Sequence, residues 1–212
     1  MKFLFVSGPH AVGKSYTMSK LAKDLNMTLY DTGPIMREYH KKLAPDKSMG
    51  EWVTGLEAKH GKKVTAFMLA KKLKDKMKEE NTSGVIIVGF RTGEGIFQFM
   101  DIMKSNDFGV LYVDGTMELL YENYNRRLQS TTNQRKDADK TYEEFEYYIN
   151  EELASGLSEI RDCALSGAPM TYYFKKEDNG DGLYHYARQI LEQSKEKPKT
   201  EGEGEPSAPG VK

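Results

Sequence analysis

Gly8-Pro9-His10-Ala11-Val12-Gly13-Lys14-Ser15 is a complete G-x-x-x-x-G-K-[ST] string, and the reading of the whole chain starts from it. The spacing has a chemical reason. Glycines let the backbone curl until successive N–H groups face one anion, and a helix starting at the end of the curl adds its positive end. A lysine at position 14 supplies a point charge for the β and γ phosphates, and a hydroxyl at position 15 is a ligand for Mg²⁺. The flanks agree. Phe3–Val6 is a short apolar run of the kind that makes a buried parallel strand. Downstream, Tyr16, Met18, Leu21, Ala22 and Leu25 form one stripe of a helix over Lys14–Asp24. Strand, loop and helix together predict a site for the phosphates of ATP, with Gly8, His10, Ala11, Val12, Gly13, Lys14, Ser15 and Tyr16 as its residues.

Working outward, apolar runs at Thr28–Tyr30, Val85–Val88, Val110–Val113 and Tyr172–Phe174 read as further strands. Helical patterns separate them: one beginning near Ile35, a Lys-rich stretch from Met49 to Met77 divided at His60-Gly61, then 94–104, 116–128, 141–165 and Leu183–Gln193. Alternating strands and helices predict an α/β fold in three layers, a parallel sheet with helices on both faces. The domain is expected over 1–193, with a helical acceptor-binding region at about 35–80 and a polar lid at about 126–140. From Ser194 on, Pro, Gly, Glu and Lys dominate, a composition that predicts a disordered tail over 194–212.

The chain has 212 residues, enough to bury a full core without covalent staples, and its net charge of −1 provides no overall field toward nucleic acid or membrane. One cysteine, Cys163, fits a reducing compartment. The apolar run at the start is too short for a signal sequence and there is no transmembrane stretch, so the expectation is a cytoplasmic protein.

Among proteins with such a loop, nucleotide switches carry N-K-x-D and D-x-x-G elements, and neither occurs here. Mechanochemical ATPases place Asp-Glu after a hydrophobic strand, whereas this strand ends Val88-Gly89. The remaining class is the small kinases. Asp31-Thr32-Gly33-Pro34-Ile35-Met36-Arg37 resembles the D-T-G-x-x-x-R segment of cytidylate kinases and the acceptor side of dephospho-CoA kinases. Gly89-Phe90-Arg91-Thr92 resembles the G-F-P-R-T segment of adenylate kinases without its proline. Over residues 1–190 the order of segments is similar to an archaeal adenylate-kinase-like group.

The resemblance implies roles. Arg37 and Arg91 would clamp the acceptor's anionic group, and Asp31 would orient the attacking oxygen or a Mg²⁺ water. Arg127, with Arg126 and Arg135, would close over ATP as part of a lid, and Asn179 would lie near the adenine. The catalytic set is then Lys14, Asp31, Arg91 and Arg127, with Asp31, Arg37 and Arg91 facing the acceptor. Ser15 would hold Mg²⁺, and Asp31 and Asp114 compete for the carboxylate role, since the position taken by Asp in adenylate kinases is Val88 here.

Plainer readings stand beside these. Asp31 is also a good helix cap, Asp114-Gly115 is a common turn, Arg126 and Arg127 fit a solvated face, and Trp52 fits a core edge. The leading expectation is an ATP- and Mg²⁺-dependent kinase acting on a nucleotide-like small molecule such as a nucleoside monophosphate. The lysine runs Lys41-Lys42, Lys62-Lys63 and Lys71-Lys72 motivate one alternative, a kinase for a hydroxyl on nucleic acid such as a hydroxymethylated pyrimidine. Val88 in place of a carboxylate motivates another, a nucleotide-binding regulator without transfer activity.

Overall fold

The computed structural model describes residues 1–61, 63–80, 84–130 and 139–196. Five strands, β1 (Phe3–Ser7), β2 (Thr28–Asp31), β3 (Val85–Val88), β4 (Phe108–Gly115) and β5 (Thr171–Lys176), form one sheet in the order β2-β3-β1-β4-β5. Every pairing is parallel. The expected three-layer α/β architecture is what the chain adopts. Because β1 lies at the centre and the chain leaves it first toward β2 and later toward β4, the crevice at its carboxyl end is the switch point of the sheet.

The alternation along β1 explains the layers. Leu4 and Val6 face one core with Met18 and Leu21 of α1 (Lys14–Asp24), Leu120 and Tyr124 of α6 (Met117–Leu128), Phe145 and Ile149 of α7 (Tyr142–Glu152), and α9 (Gly182–Glu196). Phe3 and Phe5 face the other, with α4 (Val64–Glu80), α5 (Gly93–Met103) and α8 (Ser158–Leu165). All five β1 residues are buried, as a central strand covered on both faces requires. Phe5 meets Phe90, Phe99 and Phe108 edge-on at centroid distances of 5.4–6.0 Å, the geometry aromatic quadrupoles favour. Two more helices, α2 (Thr32–Leu43) and α3 (Met49–His60), occupy the region expected for the acceptor.

Several boundaries differ from the sequence reading. α2 starts at Thr32 rather than near Ile35, because Asp31 caps it by accepting the Gly33 N–H. β5 extends to Lys176, and α9 runs to Glu196, past the point where a disordered tail was expected. The helical stretch expected over 141–165 is interrupted by a kink at Leu153–Leu157, where Gly156 leaves helical geometry with φ +122°. The central part of the expected lid with Arg135, the first residue of one lysine run (Lys62) and residues 197–212 lie outside the described residues. Among the described residues no helix is long and apolar enough to cross a membrane.

Candidate active site

The loop from Gly8 to Gly13 turns back on itself through three left-handed positions, Gly8 (φ +141°), Ala11 (φ +63°) and Gly13 (φ +94°). Gly8 is dictated by space as well: a Cβ there would lie 2.1 Å from the Val113 carbonyl oxygen. Val12, fully buried, anchors the loop in the core. Side chains cap α2, α3, α5, α6 and α7, through Asp31, Ser48, Thr92, Thr116 and Thr141, whereas α1 has none. An uncapped N-terminus behind a curled loop is what an anion site needs. Lys14 folds back over the loop and donates to the Gly8 and Pro9 carbonyls at 2.6 and 2.7 Å. Tyr16, included among the nucleotide-binding residues, is 86% exposed and its ring stands in solvent.

Ser15 Oγ donates to Asp31 Oδ2 at 2.6 Å, while Asp31 Oδ1 accepts the Gly33 N–H. The cap reading of Asp31 therefore holds for Oδ1, while Oδ2 is turned to the loop serine. Sheet register makes this possible: Asp31 pairs with Val88, and Val88 with Val6, so the carboxylate reaches the loop across the crevice. Arg37 lies close by on α2, since a Cβ on Gly33 would sit 3.2 Å from its Nη1 and 3.3 Å from Asp31 Oδ1. Val88 is a core residue, 2% exposed, and the following Gly89 (φ +108°) has no room for a side chain beside Thr32 Oγ1. Asp114 is engaged elsewhere: Oδ2 accepts from the Tyr173 hydroxyl at 2.8 Å and Oδ1 from the Gly115 N–H. Burial, then the Asp114 carboxylate, pushes the Tyr173 hydroxyl up to about 12.

On the α6 and α7 side, Arg127 contacts His10 Nε2 and lies over the Tyr124 ring. A guanidinium only donates, so this contact makes Nε2 of His10 the acceptor. His10 also packs edge-on against Tyr148, with centroids 5.6 Å apart. Beneath it lies Glu152, 3% exposed, which the sequence reading did not single out. Its carboxylate accepts from the His10 backbone N–H (2.8 Å), the Tyr148 hydroxyl (2.7 Å) and the Arg91 guanidinium (2.7 Å). Burial, then Glu152, pushes the Tyr148 hydroxyl up to about 12. Burial works against the Arg91 charge, but Glu152 and Tyr148 outweigh it and its pKa is raised. Helical spacing carried a signal for Glu152: with Phe145 and Ile149 it falls on the buried stripe of α7, where an acid needs a partner.

Behind the loop, Lys176 is 7% exposed and donates to the Val12 carbonyl and to Asn179 Oδ1, both at 3.3 Å. Burial lowers its pKa. Asn179 thus reaches the loop through Lys176, a residue the sequence reading passed over because β5 seemed to end at Phe174. Trp52 is buried and in contact with His40, so its core reading holds. Lys42 and Lys63 pair with Glu38 and Asp101 on solvated faces. Cavities of about 550 and 610 Å³ open around Leu56 and His60 in the helical region.

Among the described residues no cluster of three or more metal-ligating side chains occurs. Mg²⁺ does not ask for one, since it keeps most of its waters and takes one or two protein oxygens beside substrate phosphates. The adjoining hydroxyl and carboxylate of Ser15 and Asp31 fit that donor set.

A phosphate loop at the switch point of a parallel 2-3-1-4-5 sheet, with a lysine over it and a carboxylate on its serine, defines a P-loop kinase fold. The family model for AAA domains, AAA_17, matches residues 7–146, and the chain belongs to that family. Solved structures similar to it include shikimate kinase from Bacteroides thetaiotaomicron, at TM-score 0.54 and 16% identity over 90% of this chain and 98% of that one. Shikimate kinase from Acinetobacter baumannii, in complex with shikimate, aligns at TM-score 0.51 and 17% identity over 91% and 92%. Identities this low establish the fold alone. A comparison with curated proteins finds no match.

Proposed function

We propose that the protein is an ATP- and Mg²⁺-dependent kinase that moves the γ-phosphoryl group to a small acceptor bearing an anionic, nucleotide-like group. The observation that carries this reading is the 2.6 Å bond between Ser15 and Asp31 beside Lys14. It puts a hydroxyl, a carboxylate and an ammonium around one uncapped helix start. Ser15 and Asp31 would hold Mg²⁺, whose charge offsets that of the phosphates when bound. Lys14 swings from the Gly8 and Pro9 carbonyls onto the β and γ phosphates, and Arg127 adds charge from the α6 side.

The acceptor oxygen bonds to the γ-phosphorus as the β–γ bridging P–O bond breaks, and ADP leaves. Catalysis is by positioning and charge neutralisation, with no covalent enzyme intermediate. Arg37 beside Asp31, and Arg91 at the end of β3, support an anionic acceptor, as does the resemblance of their segments to those of adenylate, cytidylate and dephospho-CoA kinases.

The test is incubation with Mg·ATP and a panel of ribo- and deoxynucleoside monophosphates, dephospho-CoA and hydroxymethyluracil DNA, followed by mass. Transfer to a free nucleotide or to dephospho-CoA is the expected result. Transfer only to the DNA would replace the small acceptor by a nucleic-acid one, and ATP binding without any transfer would contradict a kinase reading.

A further inference from the structure

Glu152 is a buried carboxylate that phosphate binding by the loop does not require, yet its three donors come from three parts of the molecule. One is the loop itself, through the His10 N–H; one is the end of β3, through Arg91; one is Tyr148 on its own helix. The kink that follows packs against Arg91 a second time. At Gly156 a Cβ would lie 3.1 Å from the Arg91 carbonyl oxygen and 2.6 Å from Thr92 Cγ2, so the kink packs directly on that main chain. Arg91 is therefore held at head and backbone by Glu152 and the kink after it, while its side chain remains 51% exposed.

The loop end that Glu152 touches can be identified. Lys14, whose role is at the β and γ phosphates, rests on the Gly8 and Pro9 carbonyls, so the γ end of the loop is the Gly8–His10 end. We infer that Glu152 is a positioning residue that ties Arg91 to the γ-phosphate end of the loop, so that triphosphate occupancy and the orientation of Arg91 are coupled. This rests on the phosphate-loop reading above. A carboxylate serving stability alone would affect all loop ligands equally, whereas this one distinguishes a nucleotide with a γ-phosphate from one without.

The experiment is calorimetric binding of Mg·ADP and of the non-hydrolysable triphosphate Mg·AMPPNP to the full chain and to Glu152→Gln. Glutamine has the same shape but only one acceptor oxygen, and its NH₂ meets another donor. The expected result is AMPPNP affinity reduced about tenfold more than ADP affinity, within the range of site–site coupling. Equal losses for the two ligands, or no loss, would overturn the inference while leaving the phosphate loop standing. Wild-type protein that bound neither nucleotide would overturn the loop reading and the inference with it. Should Glu152→Gln not fold, Arg91→Met carries the same test from the other end of the pair: a selective loss of AMPPNP affinity supports the coupling, and equal losses for the two ligands, or no loss, contradict it.

Discussion

Asp31 divides its two oxygens between two tasks, and this allows them to be separated by mutation. Asparagine caps helices about as well as aspartate but carries no charge for a metal. Asp31→Asn is therefore expected to leave thermal stability within about 0.5 kcal/mol while lowering phosphoryl transfer by roughly a hundredfold; melting and turnover measured on one preparation check both halves. Gly8 admits no such separation. With φ +141° and the Val113 carbonyl 2.1 Å from a Cβ, Gly8→Ala should cost about 2 kcal/mol or more, read as a fall in the denaturation midpoint. Tyr148 and Tyr173 set a pH dependence. Each hydroxyl is raised to about 12 from an ordinary value of 10.0, so the folded state holds these protons more tightly than the unfolded chain. Their contribution is complete below pH 10 and is lost as pH rises from 10 toward 12. Urea midpoints between pH 9 and 11.5 should fall with pH, and more gently in Tyr148→Phe.

At the scale of elements, the kink between α7 and α8 packs directly against the Arg91-Thr92 segment. Gly156 and Gly167 both have positive φ, +122° and +69°, but only the first faces neighbours within 4 Å. Gly167→Ala should cost about 1 kcal/mol from backbone strain alone, and Gly156→Ala measurably more because it also drives a methyl into Thr92 and the Arg91 carbonyl. Equal denaturation midpoints for the two would contradict the packing described here. The elements also explain what could be read in advance. Buried strands such as Val85–Val88 are short unbroken apolar runs, and the loop is a spacing motif, so both are visible in the chain itself. Strand order is not local, and the pairing of Asp31 with Val88 that carries a carboxylate to Ser15 exists only once β3 lies between β1 and β2. The kink was hidden because its residues, Leu153 to Leu157, suit an ordinary helix except at Gly156. Lys176 was hidden because a lysine after a half-buried aromatic strand reads as a surface residue.

For the whole molecule, this AAA-family chain with a P-loop kinase fold is proposed to use the Gly8–Ser15 loop to transfer phosphate. The sheet brings Lys14 and Ser15, Asp31, Arg91 and Arg127 to one end from four different segments around the switch point, with a core packed on each of its faces. The most direct measurement is Mg·ATP turnover in the presence of the acceptor panel, for wild-type protein and Lys14→Ala side by side, with circular dichroism to establish that both are folded. Transfer is expected from the wild type and a loss of roughly a hundredfold or more in the variant, since the lysine's charge acts where charge develops in the transition state. Turnover that survives Lys14→Ala in a folded protein would contradict the proposal.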